Sequence, residues 1–410
     1  MRTTRGPLAT VAEIGLWLTA AVLVAAAVGM HLPSGLLSSA SPAASGAATP
    51  SVGSGALSTP TLQPSLAPRP SAAATLSPLA ARLQARLAAK TFEFQATGTG
   101  SESATGEGLA LDFTLTGSLS YRAGDEADTT KLTAQGQTVA NDSVYAGSFA
   151  YERSNGGPWV KKPRKAYDDD ADWRIFLSPK RLFVDTGVET KNGASLHRLE
   201  VADPAALGSD LDATGLVSNA RATVVFWVKA DGTPVVLRVE GTWDQPLDGV
   251  QAHVTIAEEF VLTRLSGVAI TPPKNPWRWV VDAANKLAFG LPPDWKASDV
   301  NRLIGLTTYA DAAYTFGYRQ DNVLLSLSAA ATQVEAGFVD PVVGQPATTV
   351  GGQAAVQFGV HRSKQKDYAS VTVVMYSGRC YQFIVLGSVG HEVATDSMAR
   401  QVLATVELTS

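Results

Sequence analysis

The chain has 410 residues, 45% of them hydrophobic, and a formal net charge of −4 at pH 7. A near-neutral charge without a basic stripe argues against nucleic acid as a partner. The single cysteine excludes an intramolecular disulfide.

An uncharged apolar run extends from Ile14 to Met30, after Arg2 and Arg5. As a helix it would be about 26 Å long, which suits a short membrane span or a long signal-peptide core. Both arginines precede the run, so the positive-inside rule places the N-terminus in the cytoplasm. We expect residues 1–32 to be a retained membrane anchor. The alternative is secretion after cleavage, because Ser38–Ala40 resembles a cleavage site.

Residues 33–78 consist almost only of Ala, Ser, Pro, Gly, Thr and Leu, with no aromatic residue and one charge, at Arg69. Such a segment cannot bury enough apolar surface to offset the entropy lost on ordering. We therefore expect a disordered stalk between the anchor and the folded domains.

Residues 79–272 carry one helical pattern followed by strand patterns. Leu79, Leu83 and Leu87 lie four apart and predict a helix over 79–90. Alternation predicts a strand over 109–116. Further strands are predicted at 91–95, 129–139, 143–152, 158–162, 195–201, 221–229, 234–243 and 250–264, with a hairpin turn at 230–233 and a short helix at 172–184. This order predicts an α+β fold, with one long curved antiparallel sheet and helices on its concave side.

Two hairpins in this region, at Tyr151–Val160 and Val225–Val235, follow the leading helix and the meandering strands. Together these features resemble the half-barrel of LolA and of the mycobacterial lipoproteins LppX and LprG. The resemblance implies an incomplete barrel around a hydrophobic cavity that holds the acyl chains of lipids or lipoproteins. The lipid-bearing cysteine of LppX and LprG is missing here. A helix would then be the anchor, and the protein would present a ligand from a fixed point.

A cavity of this kind needs apolar side chains on the concave face of the sheet and on the helix that covers it. The strand candidates are Leu109, Leu111, Phe113, Leu115, Val224, Phe226 and Val228. The candidates on the covering helix are Phe176, Leu177 and Phe183. The alternative is that all of them pack a closed core, because any half-buried sheet shows the same alternation.

Pro272, Pro273 and Pro276 mark a boundary before a second region, residues 276–410. Strands are predicted at 305–309, 313–319, 323–330, 347–361, 368–377 and 379–386, followed by a helix at 392–403 and a short strand at 405–408. The Phe-x-Leu-Pro-x-x-Trp opening at 289–295 and the Gly-Gly-Gln-x-Ala hairpin at 351–355 resemble the PsbP-like fold. That fold is an α/β/α sandwich on an antiparallel sheet, and its members are mostly non-catalytic binding or assembly modules.

No catalytic or metal-binding pattern stands out. His391-Glu392 begins like a zinc-protease motif, but Thr395 stands where the second histidine is required. Asp168–Asp170 lacks the glycine and the terminal glutamate of a calcium loop. Cys380 lies in an apolar strand pattern and is expected to be a buried core thiol. We expect no enzymatic activity, no metal site and no cofactor.

These features predict a bacterial protein of the cell envelope, with extracytoplasmic domains tethered to the cytoplasmic membrane by the N-terminal helix. We expect the first domain to bind a lipid, a lipoprotein acyl chain or another long apolar ligand. The alternative is that both domains are non-enzymatic modules without a ligand cavity. The stalk would then position them to bind an envelope protein.

Overall fold

The computed structural model describes residues 77–89, 92–107, 109–122, 125–134, 136–164, 176–178, 180–213, 217–247, 250–298, 305–323, 325–346 and 348–409. The expected anchor, nearly all of the stalk and Asp168–Asp170 lie outside these residues. Within the described part of the chain, no helix has the length and apolar character needed to cross a membrane.

Two helices and eleven strands are described in the first region. The helices are α1 (Pro78–Ala88) and α2 (Pro204–Asp212). The strands are β1 (Glu93–Gly106), β2 (Leu109–Arg122), β3 (Asp125–Ala134), β4 (Gln137–Ala146), β5 (Phe149–Ser154), β6 (Val160–Pro163), β7 (Phe183–Lys191), β8 (Ala194–Val201), β9 (Ser218–Val228), β10 (Pro234–Leu247) and β11 (Val250–Arg264).

Helix α1 confirms the helix predicted from the leucine spacing. Its N-terminus is capped by Ser77, whose hydroxyl accepts a hydrogen bond from the Ala80 amide at 3.1 Å. Pro78 occupies the first helical turn, where an amide hydrogen would have no partner within the helix. The buried residues of α1 include Leu79, Leu83 and Leu87, so the leucines that are spaced four apart in the sequence are the ones that pack against the sheet.

The strands of the first region form an antiparallel sheet in the order β6-β5-β4-β3-β2-β1-β11-β10-β9-β8-β7. The α+β class is thus confirmed. In the described residues the sheet does not close into a barrel, because β7 ends it on one side. The turn predicted at 230–233 joins β9 to β10. Asp231 accepts a hydrogen bond from the Thr233 amide at 2.8 Å, and Gly232 has a φ of 82°.

Several predicted boundaries in this region are wrong. The strand predicted at 129–139 spans the turn between β3 and β4, and the one at 143–152 spans the turn between β4 and β5. Strand β1 continues to Gly106, well beyond the predicted end at Gln95, and α2 was not predicted. Short turns inside an alternating polar sequence leave the alternation unbroken, so periodicity does not reveal them.

In the second region the described elements are β12 (Trp277–Asp282), β13 (Leu287–Leu291), β14 (Lys296–Ala297), β15 (Thr307–Ala310), β16 (Thr315–Asn322), α3 (Leu327–Glu335), β17 (Val342–Gly344), β18 (Thr348–Val350), β19 (Gln353–Arg362), β20 (Asp367–Tyr376), β21 (Arg379–Ser388), α4 (Glu392–Leu403) and β22 (Glu407–Leu408). The central sheet has the order β14-β15-β16-β21-β20-β19-β17, and β18 pairs with β19.

Alternation along β21 divides the second region into two cores. Cys380, Ile384 and Leu386 pack with Ala330 and Ala331 of α3. The side chains of Tyr381, Phe383 and Val385 pack instead with Ala399, Val402 and Leu403 of α4. The sheet thus lies between two helices, as expected for an α/β/α sandwich, and Cys380 is the expected buried thiol.

The strand predicted at 323–330 is wrong, because α3 begins at Leu327 and occupies its second half. Ser326 caps this helix, and its hydroxyl accepts a hydrogen bond from the Ala329 amide at 3.2 Å. The alanine-rich sequence that follows favours helix.

The two regions share backbone hydrogen bonds. Strand β12 runs parallel to β6, with Trp277 opposite Val160, and the Trp277 amide donates to the Trp159 carbonyl at 2.6 Å. Through this pair β12, β13 and β22 extend the first sheet to fourteen strands. Leu287, Phe289 and Leu291 of β13 pack in the core beside α4. The backbone of β13 therefore pairs within the fourteen-stranded sheet. Its side chains Leu287, Phe289 and Leu291 pack in the core of the second region.

Candidate functional site

We use "inner face" for the face of the fourteen-stranded sheet that α1 and α2 cover. Leu79, Leu83 and Leu87 of α1 and Leu207 and Leu211 of α2 form one buried cluster with the apolar side chains of this face. The cluster extends from β3 and β4 across the β1–β11 pair to β7 and β8.

The structure brings nearly all of the predicted ligand-binding side chains together in this cluster. Leu109 is the first residue of β2, and its side chain lies outside the described part. The others are each 6% exposed or less; they are Leu111, Phe113, Leu115, Phe176, Leu177, Phe183, Val224, Phe226 and Val228.

One placement is corrected. Phe183 was predicted on the covering helix, but it is the first residue of strand β7 and pairs with Val201 of β8. Its ring packs edge-on against that of Phe226, with ring centroids 5.6 Å apart. Phe183 is thus part of the inner face. Residues 172–175 and 179 of the helix predicted at 172–184 lie outside the described part, and Val184 belongs to strand β7 as Phe183 does.

The side chains of the inner face are in mutual contact in this conformation. Phe94 stacks on Tyr121 with centroids 5.5 Å apart, and Leu83, Val224 and Phe260 are fully buried. At these residues the space between helices and sheet is filled by protein. A ligand could reach them only if a covering helix moved away.

A pair of carboxyl groups on adjacent strands lies within the apolar inner face. Glu102 of β1 and Glu258 of β11 are each 3% exposed. Gly100 lies opposite Glu258, and Glu102 lies opposite Ile256, so the two glutamates are diagonal neighbours on adjacent strands. A Cβ atom at Gly100 would lie 2.8 Å from Cγ of Glu258. Glu258 therefore leans over the glycine toward β1, which only a residue without a side chain permits.

The surroundings of this pair are apolar. Phe113 lies opposite Glu102, and Val239 lies opposite Glu258. The buried atoms Oε2 of Glu102 and Oε1 of Glu258 have no hydrogen-bond partner in the described part of the chain. Burial raises the pKa of Glu258 to about 8. Burial also raises the pKa of Glu102, and the neighbouring charge of Glu258 raises it further.

Two further carboxyl groups, those of Asp128 and Glu126 on β3, are buried on the same face. Asp128 accepts hydrogen bonds from the hydroxyls of Thr130, at 3.2 Å, and Ser143. Burial raises the pKa of Asp128 to about 8; the two hydroxyls oppose this shift, and the charges of Asp142 and Glu152 add to it. Unlike the glutamate pair, Asp128 has hydrogen-bond partners within the fold.

The only patterned signal for the glutamate pair is on β11. Val254, Ile256, Glu258 and Phe260 occupy alternate positions, so a glutamate stands in the apolar register of a strand. Glu102 gives no such signal, because β1 is rich in glycine and serine. The described residues contain no group of three or more His, Cys, Asp or Glu side chains that could hold a metal ion.

No protein-family model matches this chain, and no curated protein sequence matches it. Solved structures do match. LprF from Mycobacterium bovis is 14% identical, with 49% of this chain and 99% of that chain covered and a TM-score of 0.28. A LolA superfamily protein from Nitrosomonas europaea is 9% identical, with coverages of 47% and 97% and a TM-score of 0.19.

Cyanobacterial PsbP from Synechocystis sp. PCC 6803 is 12% identical, with 35% of this chain and 98% of that chain covered and a TM-score of 0.27. The similar structures thus include members of the LolA, LppX/LprG-like and PsbP families that the sequence resembles. At identities of 14% or less, the likeness concerns the fold alone.

Proposed function

We propose that the first region binds a lipid or another long apolar ligand between the inner face and its covering helices. We further propose that residues 14–30 tether the protein to the bacterial cytoplasmic membrane, with the folded regions outside. The proposal rests on one observation, which is that two helices cover the apolar inner face. Two described helices, of 11 and 9 residues, lie on an apolar surface that crosses most of the first region's strands.

Helix α1 is the part of this cover best suited to move. It packs through Leu79, Leu83 and Leu87, and Nη1 of Arg82 donates to the Asp231 carbonyl at 3.4 Å. A helix of this length is not stable alone, so apolar contacts hold it in place. Each buried leucine contributes about 1.5–3 kcal/mol, and an acyl chain can replace such contacts. If an acyl chain displaced α1, the inner face would exchange its apolar contacts with the helix for apolar contacts with the ligand.

A disulfide between α1 and the β9–β10 hairpin tests this directly. A Cβ atom at Gly232 would lie 3.2 Å from Cβ of Arg82. The usual separation in disulfides is about 3.5–4.5 Å, so a small shift lets Arg82→Cys and Gly232→Cys form a crosslink. A side chain at the positive φ of Gly232 costs roughly 1–2 kcal/mol. The native thiol of Cys380 is buried in the second region and does not compete.

The full-length double variant is incubated with vesicles that contain radiolabelled dioleoylglycerol and is then repurified. We expect the reduced protein to carry the label and the oxidised protein to carry only the background. The single variant Arg82→Cys is the control and should load under both conditions. Equal loading of the oxidised and reduced double variants would refute entry beneath α1.

The closed packing of the inner face favours a second candidate function. In this alternative both regions are protein-interaction modules, and the inner face is an ordinary core. Wild-type protein that carries no label in either redox state would support this alternative and refute apolar-ligand binding. Crosslinking in cells should then capture a specific envelope protein.

A further inference from the structure

We propose that the polar end of the bound ligand is a positively charged amine held between Glu102 and Glu258. This inference rests on the proposed function and specifies the chemical class of the ligand. The geometry points to the pair because both side chains project from adjacent strands into the same apolar space. Each also presents a buried oxygen that no described group satisfies.

The unsatisfied oxygens are costly to the fold. Nearly all buried polar atoms in native proteins have hydrogen-bond partners, and an exception calls for an explanation. An apolar side chain at either position would avoid the cost of burying a carboxyl group without a partner. Gly100 adds to this cost, because a glycine within a strand weakens it. A ligand group that pairs with both carboxyls would explain why Glu102, Glu258 and Gly100 are all present in the apolar face.

The charge of the surroundings selects the class of ligand. Among the described residues, the strand neighbours of the pair are apolar: they are Phe113 and Leu115 on β2, Val239 on β10, and Ile256 and Phe260 on β11. Farther along the same face, β3 carries the buried carboxyl groups of Asp128 and Glu126, which are also acidic. An anionic head would meet acidic groups alone. A neutral hydroxyl could donate one hydrogen bond, whereas an ammonium group has three donors and an opposite charge.

Binding of an amine has a proton signature. Burial raises the pKa of both carboxyls, that of Glu258 to about 8, so Glu258 holds its proton at neutral pH when no ligand is bound. An ammonium group stabilises the ionised form, so binding should release a proton from the pair to solvent. A bound alcohol would leave the pair protonated. Proton release therefore distinguishes an ion pair from simple burial of the alkyl chain.

The test compares octylamine, octanol and octanoate, which share one chain length, on the full-length protein by isothermal titration calorimetry. Each titration is repeated in two buffers that differ in ionisation enthalpy. We expect octylamine to bind about tenfold more tightly than octanol at pH 7, with proton release, and octanoate to bind more weakly than octanol. Equal affinities for the three probes would overturn the inference but leave apolar-ligand binding intact. No binding of any probe would refute the proposed function itself.

The matched variants are Glu102→Gln with Glu258→Gln, and Glu259→Gln as control. Glu259 is the next residue on β11, faces the other side of the sheet and pairs with Lys191 at 2.6 Å. We expect the double variant to lose the tenfold advantage of octylamine and the proton release while still binding octanol, which also shows that it is folded. The control should behave as wild type. An amine preference that survives in the double variant would overturn the inference. If the double variant does not fold, each single variant should show a smaller amine preference than wild type.

Discussion

Lys162 and Glu407 form an ion pair at 2.6 Å across the boundary between the two regions, although 245 positions separate them in the sequence. The same ammonium group lies 2.7 Å from Glu152 and 4.5 Å from the ring centre of Trp279. Burial lowers the pKa of Lys162, but the two carboxylates outweigh this effect and hold its pKa above the ordinary value. This lysine therefore links β6 to the strands that the second region adds to the sheet.

We expect Lys162→Met to weaken the junction between the regions. The change leaves two partly exposed carboxylates without a counter-charge, which should cost about 1–2 kcal/mol of unfolding free energy. Urea unfolding monitored by tryptophan fluorescence gives the value. Lys161→Met is the control, because Lys161 lies over the exposed ring of Phe149 and should cost about 0.5–1 kcal/mol. Equal losses in the two variants would contradict the role given to Lys162.

The glutamate pair and Asp128 should make the folded state less stable as the pH rises. The pKa of Glu258 is raised from 4.5 to about 8, so the folded state holds its proton more tightly than the unfolded state does. The contribution of Glu258 to the free energy of unfolding is complete below about pH 4.5. It is lost as the pH rises through about 8, where the folded state also gives up this proton. Each such group contributes a slope of up to about 1.4 kcal/mol per pH unit. Glu258→Gln should reduce this slope between pH 5 and 8 in urea unfolding, whereas Glu259→Gln should leave it unchanged. An unchanged slope in Glu258→Gln would be inconsistent with a buried, protonated carboxyl.

Ser143 should stabilise the fold through its hydrogen bond to Asp128. Ser143→Ala leaves one buried carboxyl oxygen without this donor, which should cost about 1–3 kcal/mol. Ser118→Ala removes a comparable but exposed hydrogen bond, to Thr129 at 2.9 Å, and should cost less than about 1 kcal/mol. Thermal unfolding of both variants at pH 6 makes the comparison. A smaller effect at Ser143 than at Ser118 would rule out the buried contact.

Gly387 should be intolerant of a side chain because α4 packs directly on it. A Cβ atom at this position would lie 2.0 Å from Oγ1 of Thr395 on α4. Gly387→Ala should therefore displace the helix and cost about 2–3 kcal/mol. Gly344→Ala is the control, because no atom lies within 4 Å of its added Cβ. Circular dichroism during thermal unfolding should separate the two variants, and similar midpoints would show that α4 does not pack here.

The expected anchor can be tested on the intact protein. A retained helix over Ile14–Met30 predicts that the protein stays in the membrane fraction with its N-terminal segment present. Cleavage near Ser38–Ala40 predicts release and a correspondingly smaller mass. Mass spectrometry of the fractionated protein distinguishes the two outcomes.

Much of the candidate site could be predicted because strands and helices mark their buried faces by periodicity. The alternation at Leu111, Phe113 and Leu115 and the spacing of Leu79, Leu83 and Leu87 are properties of local sequence, and the structure buries those side chains together. The prediction failed for Phe183. Its helical assignment rested on local apolar residues, whereas pairing with Val201 of β8 places it in a strand.

The α+β class, most of the elements and the apolar face of each could be derived from local sequence, because helices and strands repeat their buried positions with fixed periods. The approach of Glu102 to Glu258 and the parallel pairing of β6 with β12 appear only in the folded chain. Both depend on the register between distant segments. That register is set by burying side chains shared across the whole sheet, and no local window of sequence contains this information.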